Sequence, residues 1–310
     1  MAEIQARELN LLSHNAEAMI AESERVYHAN ISSVARAITE EGSLRALLLS
    51  GPSGAGKTTT ANLICDAVRA LGEECIVVSL DDFYLDHSDE RYPKNELGQH
   101  DYERPEALDL DAIRCMLENI TKGEEFVIPK YDFKTSSRVG ERKRPAMPDG
   151  CVIIEGLHAL NPIISDSLPA DKIKKMFVSV STNINDGDER IISGRKTRFV
   201  RRLVRDSIYR GADAERTLGL WEGVLSAEDI YLYPYKHLAD FTFDTFHTFE
   251  LGVMKPIAES LLSTDGVSEN EYAKIVAAAL GKLDAIDRTL IPKDSLIREF
   301  IGGGIYEKIY

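Results

Sequence analysis

Apolar residues in the first 42 positions recur at intervals that are typical of a helix. They lie three, four or seven residues apart among polar neighbours, first as Leu12, Met19 and Val26 and then as Ile31, Val34 and Ile38. Such spacing places side chains on one face of an α-helix. We therefore expect residues 1–42 to form one or two amphipathic helices, as a helical N-terminal extension.

From residue 44 the pattern changes to short apolar runs that alternate with longer stretches of helical periodicity. The runs predict strands at 45–50, 75–80, 151–154, 176–180 and 241–243, and the stretches predict helices at 58–71, 106–121 and 188–209. Buried strands that alternate with helices are typical of a parallel sheet covered on both faces. We expect an α/β fold with a doubly wound parallel sheet in residues 43–263, followed by a helical C-terminal extension, 264–310.

Residues 129–148 interrupt this alternation, because they are rich in charged residues and turn formers. Such composition disfavours a central strand or a helix. We expect this segment to form a hairpin or loop over a site.

The composition is ordinary for a globular protein, with 44% hydrophobic and 28% charged residues. A net charge of −14 argues against nucleic acid or an anionic membrane as the main partner, because both would repel the surface. The N-terminus lacks the apolar stretch of a secretory signal, so we expect a cytoplasmic protein with a small-molecule partner. Assembly into a homo-oligomer stays open. The four cysteines are widely spaced and are interpreted as core thiols.

An eight-residue motif follows the first predicted strand of the sheet. Residues 51–58 read Gly-Pro-Ser-Gly-Ala-Gly-Lys-Thr and fit the pattern G-x-x-x-x-G-K-[ST] of P-loop NTPases. In that setting the loop amides and the helix N-terminus hold nucleotide phosphates, Lys57 bridges the β- and γ-phosphates, and the Thr58 hydroxyl ligates Mg²⁺. The alternative is a chance glycine-rich turn. The motif predicts ATP and Mg²⁺ as cofactors, with nucleotide ligands at Gly51, Ser53, Gly54, Ala55, Gly56, Lys57, Thr58 and Thr59.

Other segments narrow the class of P-loop protein. We find no N-K-x-D or T-K-x-D segment for guanine recognition and no Walker B pair of adjacent Asp and Glu, which disfavours a switch or a motor. The second strand ends in Ser79-Leu80-Asp81-Asp82, where a parallel sheet faces its ligand crevice. Asp81 is therefore a candidate to accept the proton of an attacking hydroxyl and to help fix Mg²⁺. Alternatively, the two aspartates cap the next segment.

Five segments, in one order along residues 44–262, resemble the uridine kinase and phosphoribulokinase family. They are the phosphate loop, D-D-F-Y at 81–84, Y-E-R-P-E-A-L-D at 102–109, I-P-K-Y-D-F at 128–133 and I-I-E-G at 153–156. The ending at 295–303, S-L-I-R-E-F-I-G-G, also resembles the tail of bacterial uridine-kinase-like proteins that often carry a TGS domain. We do not expect that domain within these residues.

The resemblance implies roles for several positions. Asp81 matches the family's catalytic base, and Glu155 matches its Mg²⁺-associated carboxylate. Glu103 falls where uridine kinases hold the ribose 2′- and 3′-hydroxyls, and a carboxylate can accept two hydrogen bonds from such a diol. Tyr84 and Tyr131 match aromatic residues of the nucleoside pocket, although ordinary core packing would also account for them.

The sequence departs from the family at one position that bears on the acceptor. Pyrimidine-specific members carry a base-reading histidine after the Tyr-Asp-Phe segment, whereas this chain has Ser136 there. A hydroxyl is shorter than an imidazole and makes fewer hydrogen bonds. The identity of the nucleoside's base therefore stays open, and a polyol that is not a nucleoside remains an alternative.

A cationic run at 195–205 contains six basic residues and no acid in a chain of net charge −14. It resembles the lid helix of the family, with the lid at about 195–225. Positions three or four apart share a helix face, so these arginines are expected to point toward the γ-phosphate. The alternative is a solvated face. We assign catalysis to Arg201 and Arg205, nucleotide binding to Arg198 and substrate binding to Arg202.

Together, these features predict a Mg²⁺-dependent ATP kinase that phosphorylates a small-molecule hydroxyl. The resemblance favours the 5′-hydroxyl of a uridine- or cytidine-like nucleoside. Pantothenate, a sugar or a polyol are alternative acceptors, and a non-catalytic nucleotide sensor is the alternative outside enzymes. The seven histidines show no metal-ligand spacing, and only His158 lies near the site in sequence.

Overall fold

The computed structural model describes residues 2–95, 98–133, 135–166 and 168–306. The strands in these ranges are β1 (Glu3–Gln5), β2 (Ala46–Ser50), β3 (Cys75–Ser79), β4 (Phe126–Asp132), β5 (Ser137–Arg144), β6 (Cys151–Glu155), β7 (Ile173–Ser179), β8 (Asn183–Asp186), β9 (Glu189–Ile192) and β10 (Phe241–Asp244). The α-helices are α1 (Ala6–Ser13), α2 (Ala16–Glu40), α3 (Lys57–Ala70), α4 (Leu110–Lys122), α5 (Pro162–Ser165), α6 (Gly194–Tyr209), α7 (Ala214–Tyr231), α8 (Glu250–Leu262), α9 (Glu271–Leu280) and α10 (Arg298–Ile301).

Five parallel strands form the central sheet in the order β10-β7-β2-β6-β3. Strand β2 lies in the middle, and alternate side chains of a strand point to opposite faces. Leu47 and Leu49 pack with α2, α3, α6 and α8, while Ala46 and Leu48 pack with α4 and α5. Helices therefore cover both faces, and the predicted doubly wound α/β fold is confirmed.

The predicted strands of this sheet are all present, with ends that differ by a few residues. The segment 129–148 is largely an antiparallel hairpin, β4 and β5. The predicted helix 188–209 is wrong at its start, because residues Glu189–Ile192 form β9. Gly187, at φ +61°, turns the chain between β8 and β9, and the Ser193 side chain then caps α6 by accepting a hydrogen bond from Lys196 N–H.

The N-terminal segment contains both expected helices and one strand that the pattern did not predict. Met19 is buried on α2 as expected, whereas Leu12 and Val26 are 42% and 47% exposed. The apolar face of α2 instead continues through Tyr27. Strand β1 pairs in parallel with β8, so the first residues of the chain contribute to a small second sheet.

The C-terminal segment is less helical than predicted. Helix α9 and the four-residue α10 are joined by mostly irregular chain that contains Pro292, and residues 307–310 lie outside the described ranges. Both terminal segments pack into the hydrophobic cluster that covers one face of the sheet. The domain boundaries at 43 and 263 stay predictions. Within the described ranges, no helix has the length and apolarity needed to cross a bilayer.

Candidate active site

The phosphate loop connects β2 to α3 in a conformation that requires glycine. Gly54 and Gly56 have φ of +73° and +80°, which side chains with a Cβ rarely adopt. A Cβ on Gly54 would also approach the carbonyl oxygen of Arg198 to 2.9 Å. Lys57 opens α3, and its ammonium donates to the carbonyl oxygen of Pro52 at 3.3 Å. The lysine therefore lies back across the loop, as a phosphate ligand would.

The predicted Mg²⁺ ligands Thr58 and Glu155 lie together beside this loop. Glu155 is buried at the end of β6, and its Oε1 accepts hydrogen bonds from Ser79 Oγ at 2.6 Å and from Thr58 Oγ1 at 3.3 Å. Asp81 lies in a 3-10 turn two residues beyond Ser79, which pairs with Glu155 across the sheet. Hydroxyl and carboxylate oxygens are the hard ligands that Mg²⁺ prefers, so these residues fit the ion.

Arg198 lies buried beneath the phosphate loop instead of facing an open cleft. Its guanidinium donates to both carboxylate oxygens of Glu228 at 2.8 Å and to the carbonyl oxygen of Ser53 at 2.9 Å. Glu228 in turn accepts the backbone N–H of Ser53 at 2.9 Å. The buried pair therefore holds both backbone polar groups of one residue of the loop.

Arg201 is fully buried and supports the next residue of the loop. It pairs with Glu250 of α8 and donates to the carbonyl oxygens of Gly54 at 3.1 Å and Thr245 at 2.7 Å. The Thr245 hydroxyl also donates to the carbonyl oxygen of Ala55 at 2.8 Å. Arg201 thus ties α6, α8 and the loop after β10 to the phosphate loop.

Arg202 and Arg205 of α6, and Arg210 directly after it, share one buried acid that follows the cationic run. Asp206 lies 3.3 Å from Arg202, 3.3 Å from Arg205 and 3.5 Å from Arg210. Arg202 also donates to the Ser53 hydroxyl at 3.0 Å, so its guanidinium reaches the phosphate loop.

These contacts correct the expected orientation of the cationic run. Arg198 and Arg201 do not converge on an open face, because acids from other helices pair with them inside the core. The run therefore needs no external anion to explain it. Phosphate contacts by Arg198, Arg201, Arg202 and Arg205, and a closing lid at 195–225, stay predictions.

We expect Arg201→Ala to destabilise the protein by about 3–5 kcal/mol, because the change leaves the carboxylate of Glu250 buried without its partner. Arg195→Ala on the same helix is the matched control, because Arg195 pairs with Asp229 at the surface. A solvent-screened pair of that kind contributes about 1 kcal/mol or less. The free energy of unfolding in denaturant measures both variants, and equal losses would contradict this account of α6.

The predicted acceptor residues Tyr84 and Glu103 follow β3 and precede α4. The pKa of Tyr84 rises well above its ordinary value because burial disfavours the phenolate, and the carboxylates of Asp81 and Glu103 add to the effect. Burial also raises the pKa of Glu103, which the positive charge of Arg202 partly offsets. Asp81 and Arg202 are therefore both near enough to Glu103 to affect its pKa.

Three aromatic rings cluster next to these residues, and one of them was missed in the sequence analysis. The rings of Tyr84 and Tyr131 have centroids 5.6 Å apart, and Phe133 lies 5.8 Å and 5.0 Å from them. Phe133 is 53% exposed, unlike a core residue. Its position at the end of the Tyr-Asp-Phe segment is the sequence feature from which Phe133 could have been predicted. Ser136 lies in the hairpin turn at φ +52°, where its carbonyl oxygen accepts His87 N–H at 3.2 Å.

Arg138 of β5 positions the turn that carries Asp81, and it too was missed. Its guanidinium donates to the carbonyl oxygens of Phe83 at 3.2 Å and Tyr84 at 3.1 Å, and to the carboxylate of Asp109 at 3.0 Å. The hairpin is therefore attached directly to the turn that follows β3.

His158, three residues after Glu155, is buried, and neither ring nitrogen has a hydrogen-bond partner among the described residues. Burial lowers the pKa of His158 to about 4, so the imidazole is neutral at physiological pH. A neutral ring offers one donor and one acceptor but no positive charge for phosphate.

Comparison with known proteins gives related sequences over the sheet and the site. A sequence model of the Phosphoribulokinase / Uridine kinase family matches residues 47–187. A uridine kinase of Halobacterium salinarum is 30% identical over 63% of this chain and 77% of its own length. A uridine kinase of Deinococcus deserti is 28% identical over 62% of this chain and 83% of its own length. Uridine kinase-like protein 5 of Arabidopsis thaliana is 26% identical over 62% of this chain and 37% of its own length.

Proposed function

The chain belongs to the phosphoribulokinase and uridine kinase family, and we propose that it transfers the γ-phosphoryl group of ATP to the 5′-hydroxyl of a uridine- or cytidine-like nucleoside. Membership makes it a kinase of a small molecule. The nucleoside acceptor is supported by one observation above all: Glu103 lies near enough to Arg202, which reaches the phosphate loop, and to Tyr84 for their charges to interact.

In this proposal Glu103 and the neighbouring aromatic rings form the acceptor pocket, and each part of it suits a part of a ribonucleoside. The carboxylate of Glu103 can accept hydrogen bonds from both hydroxyls of a vicinal diol. The rings of Tyr84, Tyr131 and Phe133 offer apolar faces for a planar base. Asp81 follows β3 two residues after Ser79, which donates to Glu155, and in this proposal it meets the 5′-hydroxyl beside the donor.

The predicted transfer follows from these positions. Asp81 accepts the proton of the acceptor hydroxyl while the oxygen of that hydroxyl bonds to the γ-phosphorus. The bond from the γ-phosphorus to the β-phosphate oxygen breaks, so that ADP leaves. Lys57 and the amides of α3 stabilise the negative charge on the phosphates. Thr58 and Glu155, with Asp81, would hold Mg²⁺, which supplies further positive charge when bound.

We expect Glu103→Gln to lower kcat/KM for a ribonucleoside by about tenfold to 100-fold, because an unmatched hydrogen-bonding group in a buried site costs about 1–3 kcal/mol. The 2′-deoxy analogue lacks one hydroxyl of the diol, so it should lose less from the same change. Steady-state kinetics with uridine, cytidine and their deoxy analogues give the ratio of kcat/KM between wild type and variant for each substrate. Equal losses for both kinds of substrate would refute the diol assignment.

The pH dependence of the wild-type KM for a ribonucleoside provides an internal control for the Glu103→Gln variant. Because burial raises the pKa of Glu103 above the ordinary value of 4.5, the carboxylate is lost at a higher pH than in an exposed glutamate. The KM for a ribonucleoside should therefore rise as the pH falls through that raised pKa. Glu103→Gln has no such proton to bind, so its KM should lack this rise.

Ser136 provides a test of which acceptor is phosphorylated, because it occupies the position of the base-reading histidine in pyrimidine kinases. Histidine tolerates positive φ better than most residues, so Ser136→His fits the backbone of this turn. A panel of nucleosides, sugars, polyols and pantothenate, assayed with the wild type and with Ser136→His, distinguishes the acceptors. A catalytically inactive nucleotide sensor would release no ADP with any of them.

A further inference from the structure

The chain near its C-terminus crosses the phosphate loop. Ser295, Leu296, Ile297 and Phe300 are each 1% exposed or less, so this stretch is part of the core. Leu296 lies directly against the loop, because a Cβ on Gly56 would come within 2.6 Å of its side chain. The segment 295–301 therefore has a fixed place beside the start of α3.

Glu299 projects from this segment onto the helix end that is predicted to bind phosphate. Its Oε2 accepts hydrogen bonds from the backbone N–H of Thr59 at 3.1 Å and from the Thr59 hydroxyl at 2.8 Å. The Thr59 N–H is one of the first four amides of α3, which have no acceptor within the helix. Such amides bind anions, and a carboxylate oxygen is an acceptor of the same kind as a phosphate oxygen.

Neighbouring contacts hold the segment in this register along α3. The ring of Phe300 lies 5.0 Å from the guanidinium carbon of Arg201, and the Tyr306 hydroxyl donates to Asp66 of α3 at 2.6 Å. Glu299 itself is only partly buried, between the partly buried Arg298 and the buried Phe300. Its side chain can therefore rotate away from Thr59 without unpacking the segment.

We propose that Glu299 is an internal competitor for nucleotide phosphate at Thr59, so that the donor displaces its carboxylate when it binds. The inference rests on the proposed function, because loop amides of this kind hold the α- and β-phosphates of a nucleotide. Phosphate and carboxylate are both anions and cannot share the two donors of Thr59. Glu299 thereby lowers the affinity for the donor and selects against ligands with too little negative charge.

Direct binding of ATP, measured by calorimetry without an acceptor, tests the proposal. Glu299→Gln and Glu299→Ala should each bind ATP about tenfold more tightly than the wild type, which is the order expected for one charge at a helix N-terminus. Tripolyphosphate should show the same gain, because the competition concerns phosphate alone. Glu269→Gln is the matched control, since it removes one exposed acid from the same part of the chain.

The outcomes separate this inference from the function on which it rests. If the wild type binds ATP and both Glu299 variants bind it equally or more weakly, the competitor role is overturned and the kinase assignment stands. A lower melting temperature with unchanged affinity would identify Glu299 as a structural cap only. A gain for ATP that is absent for tripolyphosphate would also overturn the proposal. Failure of every protein to bind ATP would overturn the proposed function and this inference together.

Discussion

Lys57→Ala should lower kcat at least about 100-fold, the scale seen when one charged or hydrogen-bonding group is removed from a transition state. Among the described residues the ammonium donates one hydrogen bond, to the carbonyl oxygen of Pro52, so little packing is lost. The free energy of unfolding should therefore change by less than about 0.5 kcal/mol.

The matched control is Lys143→Ala, which removes an exposed lysine from β5. Its kcat should equal that of the wild type. ADP release with a saturating acceptor measures all three proteins. Wild-type turnover in Lys57→Ala would exclude the phosphate loop as the donor site.

Asp81→Asn should lower kcat by about 100-fold to 10,000-fold, the usual contribution of general-base catalysis, with little change in the affinity for ATP. Asparagine keeps the size of the side chain but cannot accept the proton. Single-turnover kinetics and ATP titration separate the two effects.

Asp82→Asn provides the control from the adjacent position. Asp82 pairs with Arg142 of the hairpin, so its loss should affect the attachment of the hairpin more than the chemistry. If Asp82→Asn is the variant that loses kcat, the base lies one residue further along the chain than proposed.

The sequence was sufficient where a local pattern determines structure. The β2, loop and α3 unit follows from an apolar run, two glycines with positive φ and a helical stretch, all within 25 residues. The hairpin of β4 and β5 was also predictable, because turn formers and charges set it apart from the sheet. By contrast, the four-residue β9 was read as helix, since so short a strand has no distinct period.

The environment of the arginines could not be predicted in the same way. Arg198 and Arg201 have acid partners that lie 30 and 49 residues away in sequence, on helices whose packing the pattern does not specify. A cationic helix with distant acids has the same sequence signature whether it faces phosphate, solvent or the core. The contact of Glu299 with Thr59 spans 240 residues and leaves no local signal at either end.

That last separation also bears on how the protein is made. Thr59 emerges from the ribosome 240 residues ahead of Glu299, and Gln5 emerges 182 residues ahead of its contact with Gly187. Pairings so distant in sequence form late, because a long stretch of chain has to be ordered before they can stabilise anything. We therefore expect the nascent chain to carry a complete phosphate-binding turn, with Thr59 still accessible to nucleotide, until residues 295–301 have been synthesised and have folded against α3.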